Sequence, residues 1–267
     1  MRVESAEKEA FEQWRRERQT AVAGPQGDLA LIGLYAIQEP MQVEGLPGLW
    51  APMHAGEPGL ILTATAADGI TVDGKTLDGT ARLSIDHTLV RFSPTLTATA
   101  TAQPGSDYLL ALYDSQSEAI GRYEGISAYP YDPEWVIEAK WVIEPEKENR
   151  TAAFTHTSDQ AGIERHHESP GDIRFVRNGT EFTLTPFSSD GALIIVFGDK
   201  TNGKITYGTG RMVVVSLTPD GRAILDFNRA FLPPCAFSYH FNCPLPPAGN
   251  RLPFDIPAGE KQVIYQG

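Results

Sequence analysis

From Gly24-Pro25 onward, the 267-residue chain places its Val, Ile, Thr, Leu and aromatic residues in short runs separated by Gly, Pro, Asp and Asn. Runs of roughly four to eight such residues suit strands, which a pleated, half-buried surface favours over a buried helix. Strands are expected at Leu29–Tyr35, Leu60–Ala66, Ile70–Val72, Ala81–Ile85, Thr88–Phe92, Thr95–Thr101 and Tyr108–Tyr113. A second series falls at Trp135–Ile143, Thr151–Thr157, Ile173–Arg177, Glu181–Phe187, Ala192–Phe197, Met212–Leu217 and Ala223–Phe227. Asp73-Gly74 and Asn178-Gly179 each join two extended runs and accept the positive φ angles of a tight hairpin. The hairpin also accounts for Asn178-Gly179-Thr180, which otherwise reads as a glycosylation triplet.

Alternation orients some of these strands. In Thr95–Ala102 every second residue is small, which predicts a half-buried strand. Leu193–Phe197 and Met212–Val215 are apolar at consecutive positions, so both of their faces are expected to be covered. Ahead of the strands, Ala6, Ala10, Phe11 and Trp14 recur at helical spacing, predicting an amphipathic helix over Ser5 to about Thr20 with Arg15, Arg16 and Arg18 on its solvated face. The expected fold is all-β, a mostly antiparallel sandwich or barrel with an N-terminal helix and a long Pro-rich C-terminal loop. The expected organisation is a helix in residues 1–24, one β unit in 25–128 and a second in 129–267, with a single shared core as the alternative.

Composition excludes several function classes. A formal charge of −12, with no strip of Lys and Arg interleaved with aromatics, disfavours nucleic acid. No apolar run approaches the roughly 20 residues of a membrane span, and the charged N-terminus lacks the pattern of a secretory leader. A cytoplasmic location is expected, and with it two reduced thiols at Cys235 and Cys243. No Gly-x-Ser-x-Gly elbow or paired helical histidines occur, and Gly198-Asp199-Lys200-Thr201 reads as a turn because its Lys does not follow the Gly. His166 and His167 are adjacent and point opposite ways in extended chain, which prevents them from sharing an ion and suggests a solvated loop pair. Cys235, His240 and Cys243 lack the second knuckle of a structural zinc site, so neither metal nor cofactor is expected.

The most unusual segment lies at the C-terminal end. Seven of the 20 prolines fall between Arg229 and Gln262, where an even spread gives about 2.5. Proline removes amide donors and fixes φ, so this segment is neither regular helix nor inner strand, and it loses little entropy when it orders as a wrapping loop. Long ordered loops often carry function, and this one brings Asn228, Arg229, Tyr239, Asn242, Asn250, Arg251, Glu260 and Lys261 among apolar residues. These polar groups either surround a ligand or satisfy the loop's own orphan amides and carbonyls.

Particular strings stand out: Gly203-Lys204-Ile205-Thr206-Tyr207-Gly208-Thr209-Gly210-Arg211, Asp226-Phe227-Asn228, Pro233-Pro234-Cys235-Ala236-Phe237 and Cys243-Pro244-Leu245-Pro246-Pro247. With Asn250-Arg251-Leu252, Ala258-Gly259-Glu260-Lys261, Ser169-Pro170-Gly171 and Phe197-Gly198-Asp199-Lys200-Thr201, they resemble the domain of unknown function 1684 of bacteria and archaea. The resemblance spans most of the chain after the first helix and implies the family's shape without assigning an activity. His240 lies outside the resembling pattern.

The resembling residues suggest one site. Arg211 opens a strand after a Gly-rich turn, and its planar guanidinium suits a carboxylate or phosphate. Arg211, Tyr207, Asn228 and Arg251, with Asp199, Cys235 and Glu260 beside them, are expected to line a pocket for a small polar or anionic molecule under the Pro-rich loop. An Arg211 paired with Asp199 or Asp226 to hold the loop on the sheet is the alternative. A hydrolase using Cys235, or Asp226 and Glu260, in the same place is a second function class. The third is a protein-interaction module: Ile70–Leu77 is similar to the edge of a forkhead-associated sandwich, although Arg82 and Arg91 fall on strands rather than on a binding loop.

Overall fold

The computed structural model describes residues 2–54, 56–143 and 149–267. The chain opens with α1 (Arg2–Val22), and a second short helix, α2 (Glu118–Arg122), is capped by Ser117. It divides into two compact units, residues 20–123 and residues 1–19 with 124–267.

In the unit of residues 20–123 the strands are β1 (Leu31–Ala36), β2 (Leu49–Pro52), β3 (Leu60–Ala64), β4 (Thr71–Val72), β5 (Lys75–Thr76), β6 (Gly79–Leu83), β7 (Val90–Arg91), β8 (Leu96–Gln103) and β9 (Ser106–Asp114). Six of them form an antiparallel sheet in the order β1-β9-β8-β7-β4-β5, and three form a second, β2-β3-β6. Leu60, Leu62, Trp50, Leu83 and Ile70 meet Ala98, Ala100, Leu110 and Leu112 in one core. The small residues of β8 have a purpose here: Ala98 lies opposite Leu112 and Ala100 opposite Leu110, so small and large side chains interdigitate.

The other unit holds β10 (Tyr123–Ala128), β11 (Val136–Val142), β12 (Thr151–Phe154), β13 (Arg165–Glu168), β14 (Asp172–Arg177), β15 (Thr180–Leu184), β16 (Phe187–Ser189), β17 (Ala192–Phe197), β18 (Arg211–Leu217), β19 (Arg222–Asp226) and β20 (Glu260–Tyr265). Seven build an antiparallel sheet in the order β15-β14-β11-β19-β18-β17-β16, while β12 pairs with β13 and β10 with β20. One face buries Ile173, Leu184, Ile195, Phe197, Val213, Val215, Leu225 and Phe227, and the tail roofs it with Leu252, Ile256 and Ala258. At the other face Val196 and Met212 pack on Phe154 and Phe187.

Both hairpins form where expected. Val72 pairs with Lys75 and Arg177 with Thr180, and Asp73, Gly74, Asn178 and Gly179 all have positive φ. Both faces of β18 are covered only at its start, because Val214 and Leu217 are 45% and 47% exposed. The helix also departs from its expected stripe. Ala6 and Ala10 face outward, and the contact row runs through Phe11, Trp14, Arg18 and Val22. Phe11 packs against Tyr131 with the rings tilted at 45° and 5.5 Å between centroids, and Arg18 lies over the rings of Phe231 and Phe237 at 5.4 and 5.2 Å. An arginine whose stem and planar head pack on aromatics occupies a position that charge alone would send to solvent.

Two glycines test the backbone. Gly259 has φ +78, and a Cβ there would meet Ala230 O at 2.6 Å and Phe227 O at 2.8 Å, whereas Gly179 has φ +77 in open space. Gly259→Ala is expected to lower the unfolding free energy by roughly 3 kcal/mol or more, and Gly179→Ala by about 1 kcal/mol. Equal losses in urea unfolding would contradict the tight seating of the tail.

Candidate functional site: the C-terminal tail and its anchors

Side chains alternate along β18, so Arg211 shares the inward face with Val213 and Val215 and occupies a place where an apolar residue would fit. It pairs across the sheet with Phe197, and its guanidinium carbon lies 5.3 Å from that ring's centroid. The side chain has no exposure, and burial pushes its pKa down while Asp199 opposes that shift. Nη2 donates to Asp199 Oδ2 at 2.7 Å and to Ile256 O at 3.0 Å. Nη1 donates to Glu260 O at 3.2 Å and to Ala258 O. Asp199 Oδ1 in turn accepts from Thr201 N–H at 2.8 Å and from the Thr201 hydroxyl at 2.5 Å. Such a pair is tolerable in low dielectric because nearly every donor and lone pair is used. Its hydrogen bonds are directed at the carbonyls of the tail.

The other expected site residues are anchored in the same manner, at separate points. Asn228 is fully buried; its Oδ1 accepts from Asp132 N–H at 2.8 Å and its Nδ2 donates to Asp132 O at 2.9 Å and to Asp226 Oδ1 at 3.0 Å. Glu260 Oε2 accepts from Leu232 N–H at 2.7 Å, and Oε1 lies 3.6 Å from Arg18 Nε, while Arg18 Nη2 donates to Leu232 O at 3.0 Å. The expectation that Arg18 faces solvent is therefore corrected: it joins α1 to the tail. Arg251 is exposed and pairs through its backbone with Gly198. Asn250, which lay outside the expected site, is fully buried and serves three backbone groups: Thr185 N–H at 2.8 Å, and Thr185 O and Val196 O at 2.9 Å each. Arg82 pairs with Glu57, and Arg91 donates to Pro94 O at 3.2 Å.

Tyr207 and Cys235 do come together. A compact turn places Tyr207: Asn202 Nδ2 donates to Thr206 Oγ1 and Tyr207 O, and Tyr207 N–H donates to Lys261 O at 2.9 Å. The Tyr207 hydroxyl donates to Cys235 O at 3.0 Å and lies 3.9 Å from Cys235 Sγ. Cys235 N–H donates to Cys243 Sγ at 3.2 Å. Hydrogen bonding from the Cys243 side chain outweighs burial, and with Tyr207 and Thr209 it holds the Cys235 thiol at about 7. Burial first, then the neighbouring Cys235 charge, push the Tyr207 phenol up to about 12. Neither cysteine is in a disulfide; Cys235 is half-buried and Cys243 buried.

His156 and His167 form a pair that sequence reasoning missed. Strand β13 sends His166 outward and His167 inward, so the expected solvated pair is corrected. His156 Nδ1 lies 2.8 Å from Asn242 O and must carry its proton there, so His156 Nε2 is the acceptor for His167 Nε2–H at 2.9 Å. The two rings are stacked, with Phe154 and Phe187 beside His167. Burial, then the His156 and Arg165 charges, lower His167 to about 4; burial also lowers His156. This pair abuts the tail segment that carries Cys243: Thr157 N–H donates to Cys243 O at 3.0 Å, and Cys243 N–H donates to the Thr157 hydroxyl at 3.1 Å. Among the described residues, no three His, Cys, Asp or Glu side chains converge to hold a metal ion, and no helix is long and apolar enough to cross a membrane.

Two outcomes are expected. Arg211→Ala leaves the Asp199 carboxylate buried without its counter-ion and lowers the unfolding free energy by roughly 3–5 kcal/mol; a loss below about 1 kcal/mol would contradict the clamp. The folded chain keeps both histidines neutral, whereas the unfolded chain protonates them near pH 6.5. The His167 contribution is complete above about pH 6.5 and declines as pH falls toward 4, by on the order of 3 kcal/mol, with His156 acting in the same direction. His167→Phe should flatten the dependence of unfolding free energy on pH between 7 and 4.5, and an unchanged slope contradicts the assignment.

An uncharacterized protein of Haloarcula marismortui, solved by solution NMR, is similar over 52% of this chain and 76% of its own, at 29% identity and a TM-score of 0.42. No curated protein matches. A family model described as "Protein of unknown function (DUF1684)" matches residues 121–261, more than half of the 267 residues, and includes the tail with Arg211, Asn228, Asn250 and Glu260 but not Arg18. The chain belongs to that family.

Proposed function

We propose that this protein acts on a small polar or anionic molecule with an electrophilic centre, and that Cys235 is the group that reacts with it. The observation that carries the reading is the environment of the Cys235 thiol. It is half-buried, flanked by the Tyr207 hydroxyl, Thr209 and Cys243, and held at about 7 where an ordinary thiol lies near 9. At neutral pH a substantial fraction is thiolate, the form that attacks. Tyr207 keeps its proton throughout this range; its hydroxyl donates to Cys235 O at 3.0 Å, fixes the backbone of the reactive residue and stands 3.9 Å from the sulfur, where its dipole helps to hold the thiol low.

Arg211, Asp199, Asn228 and Glu260 serve this reading as positioning residues. Apart from Arg211 Nε, their hydrogen-bonding groups are engaged by the tail, by Asp132 or by one another, and an anion at the Arg211 Nη groups would have to displace Asp199 and three carbonyls. Asp226 and Glu260 are disfavoured as an acid-base pair, because Asp226 caps Asn228 N–H at 3.1 Å and Glu260 accepts from Leu232.

The test is the rate of alkylation by iodoacetamide as a function of pH, with the modified residue identified by mass spectrometry. Cys235 is expected to react with a midpoint near 7, Cys235→Ser to abolish the reaction, and Tyr207→Phe to raise the midpoint. A midpoint in the ordinary thiol range, or a Cys235 that resists alkylation in the folded chain, would overturn the reading.

A further inference from the structure

Cys235 has a second sulfur within reach. The Cys243 sulfur accepts the Cys235 amide proton at 3.2 Å, and the two thiols are hydrogen-bonded to each other, so Cys243 Sγ lies next to the first atoms of the Cys235 side chain. The loop between them is already closed by its own backbone: Phe237 N–H donates to Pro234 O at 2.9 Å, Ser238 N–H to the same carbonyl at 3.2 Å and Phe241 N–H to Ser238 O at 3.2 Å. Prolines precede Cys235 and follow Cys243. Ring closure here removes little further chain freedom. The two sulfurs also differ in access, Cys235 being half-buried and Cys243 buried, and the Cys243 backbone is pinned on both sides by Thr157.

We infer that Cys235 and Cys243 form a reversible dithiol–disulfide couple that exchanges with low-molecular-weight disulfides, with Cys235 as the attacking sulfur and Cys243 as the resolving one. The inference rests on the Cys235 nucleophile proposed above and names its substrate class. In the first step the Cys235 thiolate attacks one sulfur of the disulfide; the Cys235 S–S bond forms, the original S–S bond breaks, and the leaving thiolate takes a proton from solvent. In the second step Cys243 loses its proton to solvent and attacks Cys235 Sγ, which releases the second small thiol. The small disulfide gains two electrons and two protons, and the protein pair loses them. Access dictates the order, since a mixed disulfide forms on the sulfur that the solvent side reaches, and the buried neighbour resolves it. In a reducing compartment such a couple rests as two thiols, which is the state of the pair described here.

The test incubates the full-length protein with hydroxyethyl disulfide and follows intact mass and released 2-mercaptoethanol. The wild type is expected to lose the mass of two hydrogens and release two equivalents of thiol per chain. Cys243→Ser should stop at a stable mixed disulfide on Cys235 with one equivalent released, and Cys235→Ser should not react. A wild type that accumulates an unresolved mixed disulfide overturns the couple and leaves the Cys235 nucleophile standing. A wild type that alkylates at Cys235 and still ignores the disulfide does the same. A chain that does neither overturns both.

Discussion

The arrangement of the tail depends on a charged pair where the core should be apolar. The parity of β18 turns Arg211 inward beside Val213 and Val215, and the resulting desolvation is offset only because Asp199 faces it at 2.7 Å with tail carbonyls taking its remaining Nη donors. An apolar residue at this position would fill the space and leave those carbonyls without donors. The pair therefore fixes where Ile256, Ala258 and Glu260 run. From there β20 continues the chain, while Glu260 reaches back to Leu232 and so sets the entry to the Cys235 turn. A long segment with few regular hydrogen bonds of its own is held by donors and acceptors borrowed from side chains: Arg211, Asn228, Asn250, Glu260 and Arg18.

Much of this was legible in the chain. Short β-rich runs and two Asx-Gly turns gave the antiparallel fold and its hairpins, and β17 was anticipated residue for residue as Ala192–Phe197. Of the strands that escaped notice, Arg165–Glu168 and Lys75–Thr76 are polar or very short, and pairing with a neighbour overrides their weak local preference; Leu49–Pro52, Tyr123–Ala128 and Glu260–Tyr265 were missed as well. The Pro-rich tail was recognisable as an ordered wrap, and the residues that anchor it were nearly all named. Their grouping was not legible. Arg211, Asn228 and Arg251 look alike in sequence as tail polar groups, yet the first two are sealed while the third is exposed.

Two misses have a common physical cause. Arg18 looked like part of a solvated basic face because charge was read residue by residue, although its spacing of seven from Phe11 placed it on the buried row. The link between His156 and His167 joins two β elements eleven residues apart, and no linear pattern announces a hydrogen bond formed only when a hairpin closes. The alternation of His166 and His167 along a strand was the available signal, since one of any adjacent pair in a strand must face the covered side. The Cys235, Tyr207 and Cys243 cluster had a clearer signature, two cysteines framed by prolines after a Gly-rich turn, but their convergence arises from packing alone.

Amide hydrogen exchange across the tail tests most directly whether one buried pair orders the whole segment. In Arg211→Met, the account predicts that Leu232, Leu252, Ile256 and Glu260 lose protection together, while the β14 and β15 hairpin retains the wild-type rates. Loss confined to Ile256 and its immediate neighbours, with Leu232 and Leu252 unchanged, would contradict the claim that the pair holds the tail as one unit.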